Sequence, residues 1–224
     1  MKILGTPLIA FFGADGTGKS THATLLVNNL QSHNRRVRKV WIRSPHTAAF
    51  LMANILIGVG FRRSVLNPFG IEKELPAVNM NRGIRIMWSI MELFSVMPAI
   101  LFRVYIPLFL GYAVVAERYV VDTIVNVAYY TNDLGFLKSQ VAKILLCFIP
   151  KGTIFIHLDC DYSTLIKRRG NIVEPSDFIS FQRKGYKIMG NMTNSQYFDT
   201  ANGSIKETFT RIMAWLNEKQ GINP

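Results

Sequence analysis

Residues 13 to 20 read GADGTGKS and match the pattern G-x-x-x-x-G-K-[ST] in full. The glycines of this pattern let the backbone bring its N–H groups close to phosphate oxygens. Lys19 supplies a positive charge for the β- and γ-phosphates, and the Ser20 hydroxyl can bind Mg²⁺. An apolar run precedes the loop and apolar residues at helical spacing follow it, as expected between a buried parallel strand and a helix. We therefore predict a polyphosphate-binding loop formed by Gly13, Ala14, Asp15, Gly16, Thr17, Gly18, Lys19, Ser20 and Thr21.

Strand-like and helix-like patterns alternate along the 224 residues, which predicts one α/β domain with a parallel sheet and helices on both of its faces. We predict strands over residues 7–12, 37–42, 112–116, 153–158 and 195–198. Residues 61–76 read as a long connection. We predict helices over residues 19–32, 47–59, 76–97, 98–110, 124–130, 136–148, 163–169, 176–189 and 204–218.

The formal net charge of +12 indicates an anionic partner. No nucleic-acid-binding module or basic–aromatic repeat occurs, so we expect a polyphosphate substrate and no nucleic acid. The two cysteines, Cys147 and Cys160, lie in apolar runs and are expected to be packed thiols. The absence of a disulfide framework favours a reducing compartment, the cytoplasm.

Residues 87–116 are mostly apolar and raise the question of a membrane. The run without charge, from Leu93 to Phe102, is too short to span a bilayer, and prolines and charged residues interrupt the longer stretch. We therefore expect no stable membrane insertion. A buried helical hairpin or an oligomer face fits better, and we predict that residues 87–110 contribute to a homodimer contact.

Charged residues occur at the end of every predicted strand, where ligands gather in parallel sheets. Ser20 and Glu117 are candidate ligands of Mg²⁺, directly or through water. Arg43 and Arg118 follow the second and third strands and could face the phosphate of an acceptor. As an alternative, Glu117 and Arg118 could form a surface ion pair.

Arg168 and Arg169 lie on a segment that could close over the site and stabilise charge during phosphoryl transfer. They could also be the solvated end of an ordinary helix. With Lys19 and Arg118 they complete the set of candidate catalytic residues.

Taken in order, these segments resemble the thymidylate kinase family of nucleoside monophosphate kinases. The sequence FGADGTGKST, residues 12–21, resembles the family's loop, which has an acidic residue between its first two glycines. Arg43-Ser44-Pro45 resembles the family's Arg-Glu-Pro, and Glu117-Arg118-Tyr119 resembles its Asp-Arg-Tyr. Further resemblances cover Ala128-Tyr129-Tyr130, residues 155–170, residues 178–186 and Phe198-Asp199-Thr200.

The resemblance implies a three-layer P-loop kinase fold, with a five-stranded parallel sheet, helices on both faces and a short lid. Residues 1–224 would form a single domain, with the lid at about 167–177 and an acceptor-binding helical region at about 44–110. The implied reaction is the ATP-dependent phosphorylation of a nucleoside monophosphate, above all dTMP to dTDP, with Mg²⁺. In the family the carboxylate at the place of Asp15 contacts the deoxyribose of the acceptor, and the arginine at the place of Arg43 binds its phosphate.

The chain departs from the family where the base is read. Asp122 stands where the family has a serine, Tyr130 stands where it has a glutamine, and Trp88 is the candidate for its aromatic residue. Asp122 could read the base, or it could pair with Arg118 or take part in Mg²⁺ binding. The expected acceptor-binding residues are Asp15, Arg43, Trp88, Arg118, Tyr119, Asp122 and Tyr130.

Kinase chemistry is thus better supported than specificity for dTMP. A kinase for another nucleotide or a nucleoside is one alternative, and a nucleotide-binding protein without turnover is another. The arginines expected at the acceptor side favour a kinase, since a simple binder does not need them. The sequence contains no Asn-Lys-x-Asp motif for reading guanine, which disfavours a GTPase.

Overall fold

The computed structural model describes residues 8–42, 47–60, 62–66, 72–76, 82–170 and 174–220. Its strands are β1 (Leu8–Phe12), β2 (Val37–Trp41), β3 (Arg62–Leu66), β4 (Glu72–Pro76), β5 (Ala113–Arg118), β6 (Ile154–Asp159) and β7 (Gln196–Asp199). Five of them form an all-parallel sheet in the order β2-β5-β1-β6-β7. The predicted five-stranded α/β fold is confirmed, and the strand bounds differ from the predicted ones by one or two residues.

The helices are α1 (Lys19–Ser32), α2 (Thr47–Gly58), α3 (Arg82–Ile100), α4 (Ile106–Phe109), α5 (Val120–Tyr130), α6 (Gln140–Cys147), α7 (Tyr162–Arg169), α8 (Ser176–Met192) and α9 (Ile205–Gln220). A π-helical turn, Leu101–Tyr105, joins α3 to α4, and a 3₁₀ turn, Leu134–Lys138, lies between α5 and α6. Helix α1 has the predicted bounds.

The central strand β1 shows why the fold has three layers. All five of its residues are buried, and successive side chains point to opposite faces of the sheet. Leu8, Ala10 and Phe12 belong to the core that includes residues of α3, α5 and α8. Ile9 and Phe11 belong to a second core with residues of α1 and α9. A continuous apolar strand is therefore what this position requires, since neither face meets water.

The region between α2 and α3 differs from the sequence prediction. Strands β3 and β4 pair in an antiparallel hairpin, whereas we predicted a connection without strands over residues 61–76. The hairpin residues RRSVL and EKELP are largely polar and show no Asn-Gly or Asp-Gly turn signal, so the usual hairpin pattern is missing.

Residues from Arg82 to Phe109 form one continuous helical stretch through α3, the π-helical turn and α4. The predicted break at Pro98 and the predicted helical hairpin are therefore wrong. A proline inside a helix removes one backbone donor and its ring clashes with the preceding turn, but Trp88, Val96, Ile100 and Val104 hold the stretch on the core. In the described parts of the chain, one helix, Gly83–Phe109, has the length and composition to cross a membrane; a third of its most apolar window is buried.

The carboxyl ends of the strands meet at one edge of the sheet. The register pairs Ala10 with Ala116 and Phe12 with His157, so the loop after β1, the Glu117–Arg118 pair and Asp159 lie side by side. Because Glu117 and Arg118 are the last residues of β5, their side chains have fixed orientations. Both thiols are free; Cys160 is buried as expected, but Cys147 is exposed.

Candidate functional site

The loop between β1 and α1 has a backbone that only glycine can supply at its first position. Gly13 has φ of 143°, and a Cβ there would lie 2.0 Å from the carbonyl oxygen of Leu158. Gly18 caps α1 in the left-handed conformation, with φ of 89°. The loop therefore passes directly beside β6 and turns into α1, which points the amino end of the helix toward the loop.

Two side chains of the loop meet at one carbonyl oxygen. The amino group of Lys19 donates to the carbonyl of Ala14 at 2.5 Å, and the Thr17 hydroxyl donates to the same oxygen at 2.8 Å. Lys19 is 4% exposed. Its ammonium group is therefore held inside the loop, where it can meet phosphate oxygens without a large rearrangement.

Ser20 and Glu117, the two predicted metal ligands, are in direct contact. The Ser20 hydroxyl donates to Oε1 of Glu117, and Lys39 pairs with Oε2 of the same carboxylate at 2.9 Å. Mg²⁺ prefers hard oxygen ligands and commonly takes only one or two from protein, with phosphates and waters completing its shell. The described residues include no group of three metal-binding side chains, but this pair of oxygens fits a nucleotide-bound Mg²⁺.

Asp15 is the centre of the charged network. Its carboxylate pairs with the guanidinium of Arg118, lies 3.8 Å from the ammonium of Lys19 and lies 3.4 Å from Nη1 of Arg169. These three cations come from the start of α1, the end of β5 and the end of α7. One carboxylate therefore joins three of the four residues that we predicted to be catalytic.

Arg118 is held between two carboxylates. On the side away from Asp15, Nη1 of Arg118 lies 2.6 Å from Oδ1 of Asp122, which also accepts a hydrogen bond from the hydroxyl of Tyr186 at 3.0 Å. Burial alone would lower the pKa of Arg118, but the Asp122 carboxylate and the Tyr186 hydroxyl raise it above its ordinary value. The guanidinium is therefore permanently charged and rigidly oriented.

Asp122 has no exposed surface. Besides its pair with Arg118, its Oδ2 accepts a hydrogen bond from the Tyr119 backbone and so caps α5. Of the alternatives that the sequence left open for Asp122, the structure contains the pair with Arg118. This pair fixes the orientation of the Arg118 guanidinium on the side opposite Asp15, and the Asp122 carboxylate does not face solvent.

Arg168 and Arg169 point in different directions from the end of α7. Arg168 donates to the carbonyl of Gly16 at 3.3 Å, to the Thr200 hydroxyl at 3.1 Å and to the carbonyl of Thr200. Arg169 faces Asp15. Asp161 starts α7 by accepting hydrogen bonds from Ser163 and Thr164, which hold the pKa of its carboxyl well below the usual range.

A cavity of about 250 Å³ lies beside the loop and the first turn of α1. Its walls come from the loop, from Arg168 and from the segment that follows β7, and the residues from that segment are Thr200, Gly203, Ser204, Ile205 and Thr208. We did not predict from the sequence that this segment forms part of the site. A signal was present, since Thr200 follows the end of a predicted strand, but local patterns do not show that α7 reaches it.

The aromatic residues expected at the acceptor are less exposed than that role requires. Trp88 is fully buried and packs against the ring of Tyr130, with centroids 5.5 Å apart. Tyr119 is 1% exposed, and its hydroxyl donates to the carbonyl of Phe148 at 3.0 Å. Burial raises the pKa of Tyr119, so the phenol stays neutral. The structure thus places Trp88 and Tyr119 in the core, while Tyr130 is half-buried.

Some predicted residues lie outside the described part of the chain. These are Arg43, with Ser44 and Pro45 after it, and residues 171–173 of the expected lid. The described portion of the site therefore consists of the loop, the ends of β5, β6 and β7, and the end of α7.

Comparisons with known proteins give a match in structure alone. No protein-family model matches the sequence, and no curated protein matches it significantly. Thymidylate kinase from Candida albicans superposes with a TM-score of 0.59 at 18% identity, over 98% of this chain and 96% of that one. Thymidylate kinase from Ehrlichia chaffeensis superposes with a TM-score of 0.58 at 17% identity, over 95% of this chain and 99% of that one. Over nearly its whole length, the chain has the fold of the thymidylate kinases.

Proposed function

We propose that this protein is an ATP-dependent nucleoside monophosphate kinase. The observation that supports this most is the meeting of Lys19, Arg118 and Arg169 on the Asp15 carboxylate. Phosphoryl transfer needs little covalent chemistry from the protein and depends on positioned positive charge. A protein that only binds ATP needs the loop, but it does not need a buried arginine at the end of the neighbouring strand.

ATP is the proposed donor. Its phosphates would lie on the loop amides beside Lys19, and its base would enter the cavity between Arg168 and the segment after β7. Ser20 and Glu117 would hold the Mg²⁺, which neutralises charge on the β- and γ-phosphates. In this arrangement Lys19 and Arg169 stabilise the charge of the phosphoryl group in transit.

The proposed acceptor is a nucleoside monophosphate, with dTMP favoured. The support is the shared fold of the thymidylate kinases, together with Asp15 in the loop and Arg118 beside it. Arg43 would bind the acceptor phosphate together with Arg118, and Asp15 would meet a sugar hydroxyl. Tyr130 is the candidate for contact with the base. A different nucleotide, or a nucleoside, remains the second candidate because Asp122 and Tyr130 replace base-reading residues of the family.

We also propose the domain organisation, the compartment and the oligomeric state that the sequence predicts. The chain would be one kinase domain, with an acceptor-binding region at about 44–110 and a lid at about 167–177. The enzyme would work in the cytoplasm. The sequence predicted a homodimer contact within residues 87–110, and we assign it to the exposed apolar residues Met87, Ile90 and Phe94 of α3, together with the adjacent Ile86. Sedimentation without detergent should then give twice the chain mass of 25.4 kDa, and a monomer would contradict the dimer alone.

The decisive experiment is a panel of nucleoside monophosphates incubated with ATP and Mg²⁺ and scored for ADP release. Rapid ADP release with dTMP, above the rates for dCMP, dAMP and dGMP, supports the proposal. Release only with another monophosphate would keep the kinase and change its acceptor. Tight ATP binding without ADP release for any acceptor would instead indicate a nucleotide-binding protein. Lys19→Ala is the matched control, since contaminating activity would survive this substitution.

A further inference from the structure

The carboxyl-terminal end of the helical stretch from Arg82 to Phe109, here called the long helix, exposes apolar side chains that no described part of the chain covers. Leu101, Phe102, Phe109 and Leu110 are 52%, 65%, 90% and 58% exposed. The opposite side of the same stretch, with Ile100 and Val104, is fully buried against the sheet. We call residues 101–110, together with Trp41, the distal apolar face. Exposed apolar surface of this extent usually marks an interaction site.

Arginines surround this face. The amide of Ala113 donates to the carbonyl of Arg36 at 2.8 Å, which places the basic run of residues 35–39 next to the turn after α4. The Arg38 guanidinium lies over the ring of Tyr112, 5.2 Å from its centroid, and Arg103 donates to the carbonyl of Trp41 at 2.9 Å. Residues 31–42 and 93–116 contain no Asp or Glu at all. The charged side chains of these two segments are therefore all cationic, and of them Lys39 pairs with Glu117.

A groove of about 480 Å³ lies between β2 and this part of the helix. Its lining combines the cationic side chains Arg38, Lys39 and Arg103 with apolar ones that include Trp41, Phe102 and Ile106. Lys39 already pairs with Glu117, so Arg38 and Arg103 are the cations that an occupant would meet. An occupant that suits both kinds of side chain must combine a negative group with an apolar body, as an anionic lipid does at the boundary between its headgroup and its chains.

We propose that the distal apolar face docks the protein on the surface of an anionic lipid bilayer, with a lipid phosphate in the groove. The helix lies on the membrane and does not cross it, because its inner side belongs to the core of the domain. Aromatic side chains such as Phe102, Tyr105 and Trp41 suit the depth of the headgroups. The arginines at the rim suit the negative surface potential of such membranes.

A second copy of the chain fits this face less well than a bilayer. A two-fold contact would bring the arginines of both copies together, in segments that offer no carboxylate to neutralise them. The apolar residues of α3 from Ile86 to Phe94 lie nearer the other end of the helix and stay available for a dimer. This proposal does not depend on the identity of the acceptor nucleotide.

The test is cosedimentation of the full chain with vesicles of phosphatidylcholine alone or of phosphatidylcholine with phosphatidylglycerol. We expect binding to the anionic vesicles, little binding to the neutral ones, and weaker binding as salt increases. Arg36→Gln and Arg38→Gln should each weaken the partition about fivefold. Phe102→Ser combined with Phe109→Ser should abolish it. Ile144→Ser and Lys187→Gln, exposed positions on α6 and α8, are the matched controls and should bind like the wild type.

A second measurement follows membrane contact through the tryptophan emission of the wild-type chain. Trp41 is 47% exposed in this face, whereas Trp88 is fully buried, so lipids brominated in their chains should quench part of the emission. Trp41→Phe, a conservative substitution at an exposed position, should remove this quenching. Absence of binding to anionic vesicles would overturn the proposal. So would equal binding to neutral vesicles, binding unaffected by the Phe102 and Phe109 substitutions, or a dimer that shields Trp41 from the brominated lipid.

Discussion

Charged and apolar side chains are distributed in opposite ways in two regions of the molecule. One region is the edge of the sheet around the phosphate loop, and the other is the outer side of the long helix. At the edge, Arg118 is buried between Asp15 and Asp122, and the apolar residues lie inside the core. On the outer helix, Phe109 is 90% exposed, and Arg103 meets a backbone carbonyl and no carboxylate among the described residues. At the edge, the cationic side chains meet carboxylates or backbone carbonyls of the same chain. On the outer side of the helix, apolar side chains are exposed, and the bilayer proposed above would cover them.

The largest effect should come from Lys19→Ala. Its ammonium group is nearly buried in the loop, where a positive charge stabilises the transition state far more than it would in water. We expect kcat to fall by about 10³-fold while the protein stays folded. ADP release and circular dichroism are the measurements. Turnover near the wild-type rate would show that the loop does not contribute to catalysis. The edge would then no longer differ from the outer side of the long helix in function.

Arg118→Ala should affect both stability and activity. It leaves the fully buried Asp122 carboxylate without the guanidinium that neutralises its charge, so the free energy of unfolding should fall by about 3–5 kcal/mol. The acceptor KM should rise more than the ATP KM, because we propose that Arg118 binds the acceptor phosphate.

Arg183→Ala is the matched control for Arg118→Ala. Its pair with Asp159 at 2.8 Å is partly exposed, with the arginine side chain 38% accessible, and should contribute only about 0–1 kcal/mol. An equal fall in the free energy of unfolding for the two substitutions would show that burial does not make the Arg118 pair more important for stability than the Arg183 pair.

For Arg118→Ala itself, an equal rise in the KM of ATP and in the KM of the acceptor would show that Arg118 does not act specifically on the acceptor.

His157, a buried residue at the edge, should make the stability of the protein depend on pH. Burial lowers its pKa from 6.5 to about 4, helped by Lys19 and Arg183 and opposed by Asp159. Between these values the unfolded chain binds the proton and the folded chain does not, so stability rises with pH. The contribution is complete above pH 6.5, is lost as pH falls toward 4, and amounts to about 3 kcal/mol.

The measurement for His157 is denaturant unfolding across this pH range. His157→Phe keeps a ring stacked on Phe12, which lies 4.8 Å from the imidazole, but removes the titrating group. The difference between wild type and variant should therefore vary with pH. A constant difference would mean that the imidazole is not buried in its neutral form.

The smallest effect on stability should come from a substitution on the outer side of the long helix. Phe94 is 66% exposed, so Phe94→Ser should change the free energy of unfolding of the monomer by less than about 0.5 kcal/mol. The same substitution should shift the proposed homodimer toward the monomer in sedimentation. A large loss of monomer stability would show that α3 is covered within the chain itself and would weaken the contrast drawn above.

The predictable parts of the site were those encoded within a few neighbouring residues. The loop of residues 13–20 and the helix Lys19–Ser32 follow from local glycines, charge and apolar spacing. Each strand exit was also located to within two residues. The β3–β4 hairpin was missed because its strands lack the alternating apolar pattern that a half-buried strand shows. The prediction that the helix ends at Pro98 was wrong because packing of Trp88, Val96 and Ile100 outweighs the lost hydrogen bond and the steric cost of the proline ring.

The sequence by itself determined the α/β class, the phosphate loop and the charged residues at the strand ends, since each depends on chain periodicity or on a short motif. Only the tertiary structure decided which of these residues meet. Asp15 contacts Arg118 because β5 is the neighbour of β1 in the sheet, and Arg168 reaches Thr200 because α7 lies over the end of β7. It also decided that Trp88 is buried while Phe102 faces outward. Both are large apolar residues in one helical pattern, and only packing against the sheet distinguishes the inner side of that helix from the outer one.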